Sequence, residues 1–366
     1  MPATGQVPLL RTIEGLRLVA SIGIAALHIL PHAGVRPPGT LSLFVDLFFV
    51  VSGIVIGGVY VGVIRSAEDY GRFLRKRFAR LYPLHLATLL FYIAIGVGVA
   101  RYHLTVDDPS RFDAGQIVPN LLLIHAWFPD GKLSYNFVSW SISAEVFAYL
   151  VFPVLAAAIA IGRGRGLLMV AVLLAASIWL ARALTGLPLY ELTWRMGILR
   201  VLPSFAFGLW LAVHGAGVLR PLLARSGAVF HAALAVFAIA LFAPTPGYLM
   251  LAASWGLVAA GLLADQAGVS TLLSVRPISA QGRLTYSIYM LHVPVTTVFI
   301  SFVFPRLLGR SPAAAAVSIG LGVVIIALLS AASFAWFENP LRRWIGGGAA
   351  ARPRPGPRSP VPSAGA

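Results

Sequence analysis

Apolar residues run along this chain in blocks long enough to cross a bilayer, separated by short polar connections. A spanning helix needs about 20 mostly apolar residues. Blocks of that kind fall at roughly 13–31, 41–64, 81–100, 137–161, 166–184, 196–214, 227–243, 247–264, 284–305 and 313–337. The pattern predicts an all-α fold, a polytopic transmembrane helical bundle of about ten spanning helices. A shorter apolar piece, 117–128, is about a dozen residues, which suits a re-entrant or interfacial segment better than a span. No repeat at a fixed period interrupts this series.

Composition agrees. Of 366 residues, 58% are hydrophobic and only 11% charged, against about 45–50% and about 25% in soluble domains. The mean hydropathy is +0.86. Cysteine is absent, which excludes disulfides, thiolate metal sites and cysteine nucleophiles. HExxH, P-loop and GxSxG patterns are also absent, so zinc protease, NTPase and serine hydrolase chemistry has no motif behind it, and no metal site is expected.

The formal charge of +16 lies mainly between the apolar blocks and in the tail. Lipid headgroups and the positive-inside rule account for it, so nucleic acid is not an expected partner. Arg65, Arg72, Arg75, Lys76, Arg77 and Arg80 mark the connection after the second block as cytoplasmic. Arg163 with Arg165, Arg220 with Arg225 and Arg276 with Arg283 mark later ones. With 117–128 not crossing, both termini fall inside an inner (cytoplasmic) membrane, and 101–136, with Asp107, Asp108 and Asp113, faces out. Residues 1–345 read as one transmembrane domain. Residues 346–366, rich in Gly, Ala and Pro with Arg352, Arg354 and Arg358, read as a disordered basic cytoplasmic tail.

Titratable groups inside apolar blocks are costly and therefore point to function. The first block carries Glu14, Arg17 and His28. Arg17 and His28 are eleven positions apart, about three helical turns, which returns both to nearly the same face and places them roughly 16 Å apart. Asp46 shares a stripe with Ser42, Gly53 and Gly57, where small residues admit a close neighbour. A structural ion pair is expected there, with Arg17 or a cytoplasmic-loop arginine as partner. Arg77 and Arg80 are helical neighbours; they serve either topology alone or a phosphate-bearing ligand. Glu145 follows Trp140, Ser141 and Ser143; it either orients an imidazole or pairs with a cation such as Arg200. Thr285, Tyr289, His292 and Thr296 share one face of the ninth block.

Taken in order, these pieces resemble the membrane-integral acyltransferase 3 family. GLRLVA followed by His28 resembles its opening motif of Arg, ten residues and His. FVDLFFVVSGIVI resembles its second span through Asp46, Ser52 and Gly53. Arg77, Arg80 and Pro83 match the spaced arginines ending in proline, and WSISAE matches its W-S-L-S-x-E pattern. Arg200, Phe205 and Gly208 follow a looser version of R-x-x-x-F-x-x-G. GRLTYSIYMLHVP resembles S-Y-S-x-Y-x-x-H-x-P with Thr285 in the first serine's place, and FENPLRRW, with Glu338, resembles the closing E-x-P. The likeness covers roughly 11–344.

That resemblance implies a bacterial enzyme moving an acyl group, commonly acetyl, from acyl-CoA to a hydroxyl of a glycan, glycolipid or small molecule. Acyl-CoA would be a co-substrate, with no cofactor tightly bound. His28 would be general base or acyl carrier and Glu145 would orient or charge-balance it; Arg77 and Arg80 would meet the CoA phosphates, and Arg17 in the same catalytic group would either join them or pair with Asp46 or Glu14. Trp140, Ser141, Tyr289, His292 and Trp127 would hold the acceptor, and Asp46, Arg200 and Glu338 would be structural. The competing class is a transporter or flippase, which would move a glycan or lipid without consuming acyl-CoA.

Overall fold

The computed structural model describes residues 10–103, 106, 108–309 and 311–347; Asp107 and the expected tail beyond Gly347 lie outside the described residues. Among the described residues the chain is helical, with no strand. The main helices are α1 (Arg11–Ile29), α2 (Phe44–Tyr60), α3 (Ala67–Arg101), α4 (Trp140–Ala160) and α5 (Arg163–Thr185). They continue with α6 (Gly197–Leu219), α7 (Ser226–Phe242), α8 (Gly247–Gln266), α9 (Thr285–Val295) and α10 (Pro312–Ala332). α9 and α10 run on through π-helical turns at Thr296–Val303 and Ser333–Glu338.

Nine continuous helical stretches among the described residues are long and apolar enough to cross a membrane, where the hydropathy pattern predicts ten. The difference lies in Gly197–Phe242, a stretch of 46 residues. It is two helices, α6 and α7, joined at Arg220–Arg225. Arg200 near its start donates to the Ser42 carbonyl at 3.0 Å, and Leu241 near its end accepts from Thr40 at 2.8 Å. Both ends of the stretch therefore sit beside the same short segment, and the stretch doubles back. The chain is a multi-pass membrane protein.

Two local features differ from the sequence reading. Most of the basic connection at 65–80 is not a loop: from Ala67 onward it forms the first turns of α3, 35 residues long. At about 1.5 Å per residue that helix exceeds a hydrocarbon core of about 30 Å, so its basic start projects beyond the apolar layer. Ser66 caps it, accepting from Asp69 N at 3.1 Å, while Glu68 and Asp69 offset the positive helix end. The 117–128 piece contains only a five-residue helix, Ile117–Leu121, followed by turns, as a segment that does not cross should. Its Trp127 indole donates to the Ser143 carbonyl at 2.9 Å and ties it to α4.

Helix ends and crossings follow from single side chains. Leu10 gives α1 no side-chain cap, and Asp265 of α8 supplies one by accepting from Thr12 N and Ile13 N at 2.8 and 3.1 Å. α2 and α6 touch backbone to backbone at Gly53 and Gly208. A Cβ on Gly53 would collide with the Phe205 carbonyl, and one on Gly208 with the Val50 carbonyl. Small residues on the second span do admit a partner helix there, and that partner is α6.

Candidate active site

A cavity opens between α1, α2, α3, α4 and α9. Arg17 and Glu14 enter from α1, Arg77 and Arg80 from α3, Ser141, Glu145 and Tyr149 from α4, and Tyr286 and Tyr289 from α9. Its α2 wall is mostly apolar, from Val45 to Ile56, with Ser52 the polar exception. Helical spacing builds each wall: Ser141, Glu145 and Tyr149 recur every four residues, and Arg77 stands one turn from Arg80.

Arg17, Arg77 and Arg80 thus share one cavity. Arg17 is engaged by Glu14, its Nη1 lying 2.8 Å from both carboxylate oxygens. Arg77 stacks over the Tyr60 ring at 5.5 Å, and its buried Nε has no hydrogen-bond partner among the described residues. An unpaired buried guanidinium N–H is costly unless a ligand supplies the acceptor. Glu145 accepts from Ser52 Oγ at 2.5 Å. The expected contact between Glu145 and His28 is not made, nor one between Glu145 and Arg200.

The cavity lining ends at Ser141 and Tyr289, whose hydroxyls lie 2.8 Å apart; Tyr289 also donates to the Val138 carbonyl at 2.9 Å. Beyond that bond the structure places His28 and His292, neither of which lines the cavity. His292 follows Tyr289 by one turn of α9, their rings 6.0 Å apart. His28 Nδ1 lies 3.1 Å from His292 Nε2, and Phe137 stands edge-on to the His28 ring at 5.2 Å. His292 is fully buried and His28 half-buried.

Other expected site residues take structural positions. Asp46 pairs with Arg200, not with Arg17 or a loop arginine: Nη2 to Oδ2 is 2.7 Å, and both side chains are almost wholly buried. Trp140 carries the Arg200 guanidinium 5.4 Å from its ring centre, so neither Trp140 nor Trp127 lines the cavity. Glu338 accepts from Ser287 and Ser333, each at 2.6 Å, fastening the end of the last long helix to α9.

Sequence reasoning passed over two lining residues, Tyr149 and Tyr286. Tyr149 was legible as the next step of the Ser141–Glu145 stripe. Tyr286 reaches the Leu81 carbonyl of α3, which no motif signals. His85 and His125 do not line the cavity, and their rings stack in parallel, 6.2 Å apart and 4° from coplanar in orientation. Burial beside His85 pushes the His125 imidazole down to about 3, while Ser139 Oγ lies 3.2 Å from its Nε2. At the segment's exposed edge, Lys132 at 3.0 Å holds the Asp113 carboxyl below its ordinary range.

The described residues thus form a multi-helix membrane bundle around a cationic cavity, with a half-buried and a fully buried histidine in contact beyond it. Comparison with known proteins gives the family. The acyltransferase domain of the acyltransferase 3 family matches residues 10–332, and the chain belongs to that family. It is an acyltransferase. It is similar to the acyltransferase MdmB of Streptomyces mycarofaciens, 29% identical over 320 residues, 78% of this chain and 79% of that protein. A putative membrane-bound transacylase, BcsY of Komagataeibacter xylinus, is 29% identical over 307 residues, 78% of this chain and 72% of that protein. Protein 2 in the picA locus of Rhizobium radiobacter is 33% identical over 151 residues, covering 38% of this chain and 78% of that protein. No solved structure matches.

Proposed function

We propose that this enzyme transfers an acyl group, acetyl in the simplest case, from cytoplasmic acyl-CoA to a hydroxyl of a glycan, glycolipid or small-molecule acceptor. The observation that carries the reading is the cavity with Arg17, Arg77 and Arg80 on its wall, ending one helical turn short of the His28–His292 pair. Guanidinium groups grip phosphate through paired, charge-assisted donors, and the positive-inside rule puts the start of α3 on the cytoplasmic side. Both termini would then lie inside an inner membrane. The apolar α2 wall suits the pantetheine arm, directed towards Ser141 and Tyr289.

His28 acts as the base. The acceptor hydroxyl gives its proton to the imidazole as its oxygen attacks the thioester carbonyl, and the CoA thiolate leaves with that proton. A variant of the same scheme lets His28 carry the acyl group briefly between donor and acceptor on opposite sides.

Purified enzyme in lipid nanodiscs, supplied with labelled acetyl-CoA and candidate acceptors, tests this. The expected result is acceptor-dependent release of free CoA that His28→Ala abolishes while the variant keeps its fold and insertion. Full transfer by His28→Ala overturns the assignment of the base. Movement of a glycan or lipid across the bilayer with no acyl-CoA consumed would favour the flippase reading instead.

A further inference from the structure

The second histidine of the pair has a task that follows from the direction of its hydrogen bonds. His28 Nδ1 lies 2.9 Å from the Ile24 carbonyl, and His292 Nδ1 lies 3.2 Å from the Ile288 carbonyl. A carbonyl oxygen only accepts, so both Nδ1 atoms carry the proton. A neutral imidazole has one N–H. His292 Nε2 is therefore a lone pair, and the 3.1 Å contact between the rings runs from His28 Nδ1–H to His292 Nε2. The reverse assignment would leave the His28 Nδ1 lone pair facing the Ile24 carbonyl.

We propose that His292 is a positioning residue that holds the His28 imidazole in its Nδ1–H form and leaves Nε2 as the proton acceptor. The inference rests on the reading of His28 as the base and goes beyond it by assigning the partner. When His28 Nε2 takes the acceptor's proton, the ring becomes an imidazolium, and its Nδ1–H bond to His292 becomes charge-assisted. A neutral imidazole thereby does here what a carboxylate does behind the histidine of a serine hydrolase. The proton leaves again from Nε2 to the CoA thiolate, and His292 gains and loses none.

The surroundings keep His292 in place. Pro294 lacks an N–H for the Met290 carbonyl, and Asn136 Nδ2 supplies the missing donor at 3.1 Å. Thr296 Oγ1 donates to the His292 carbonyl at 2.7 Å. A histidine serving only to glue α1 to α9 would satisfy the packing equally well, so the test must separate glue from positioning.

Steady-state kinetics of His292→Leu and His292→Gln in nanodiscs make that separation. The glutamine amide oxygen can occupy the Nε2 position and accept from His28; leucine cannot. The expected result is a fall in kcat of about 30-fold or more for His292→Leu, within the range a positioned general base contributes. KM for acyl-CoA and acceptor should stay within about twofold, and His292→Gln should recover most of the lost kcat. Native kcat in His292→Leu, equal losses in both variants, or a loss confined to KM would overturn the proposal. If His292→Leu does not insert, His292→Asn takes its place, its shorter amide falling short of His28. An active His28→Ala enzyme would sink the base itself; an inactive His28→Ala beside a fully active His292→Leu would sink only this inference.

Discussion

Arg200 of α6 grips Asp46 of α2, with Nη2 2.7 Å and Nε 3.1 Å from Oδ2, where neither group meets solvent. Two further guanidinium donors go to the Leu192 and Ser42 carbonyls, each at 3.0 Å. Breaking a buried pair from one side costs about 3–5 kcal/mol, because it strands the other charge. Asp46→Ala and Arg200→Leu should each lower the amount of folded protein recovered from membranes and its melting temperature. Joining Arg200→Met with Asp46→Leu should bring stability closer to native than either single change. Additive losses in the double variant would show that the pair does not act as a unit.

The same pair shows how much of the molecule was legible in advance. Helix number, the non-crossing 117–128 piece and the small-residue stripe on the second span all follow from periodicity and composition. Which helix meets that stripe does not. Asp46 precedes Gly53 by two helical turns, and Arg200 precedes Gly208 by about the same distance. Helices touching at the glycines therefore also align the charges, but only the folded bundle shows that α6 is the partner. For the site, the arginines and the Ser141–Glu145 stripe could be read locally. The His28–His292 contact joins residues 264 apart, and no spacing rule reaches that far.

Arg77 and Arg80 give a prediction on binding. Charge-assisted hydrogen bonds contribute about 1.5–3 kcal/mol each, so Arg77→Ala with Arg80→Ala should raise KM for acyl-CoA by at least about tenfold. Acyl-pantetheine lacks the nucleotide phosphates, and its KM should be unchanged. Equal effects on both donors would assign the arginines to architecture, not to phosphate.

The crossing of α2 and α6 predicts a steric contrast. Gly208→Ala would drive a methyl into the Val50 carbonyl and should cost about 1–3 kcal/mol through backbone displacement. Gly58, on the same α2, has open space where a Cβ would sit. Gly58→Ala should be neutral or stabilising by up to about 1 kcal/mol, from better helix propensity alone. Comparing thermal unfolding of the two variants checks this; a loss shared by both would point to helix backbone flexibility as the cause.

His125 gives a pH dependence with a definite sign. Burial lowers its imidazole to about 3 in the folded protein, against about 6.5 in an unfolded chain. Between those values the unfolded chain binds a proton that the folded one refuses, so acid favours unfolding. Stability tied to His125 is fully present above about pH 6.5 and falls as the pH drops from there towards 3. His85 stacks against the same ring and Asn120 holds His85 Nε2 through its carbonyl at 2.9 Å, so opening is expected to begin in the 117–139 segment. Hydrogen exchange at pH 7.5, 6 and 5 should show protection there declining with acid. In His125→Gln, which cannot take the proton, the decline should be shallower by up to one proton's worth of pH dependence. Parallel profiles in the two proteins would mean that His125 is not what acid opens.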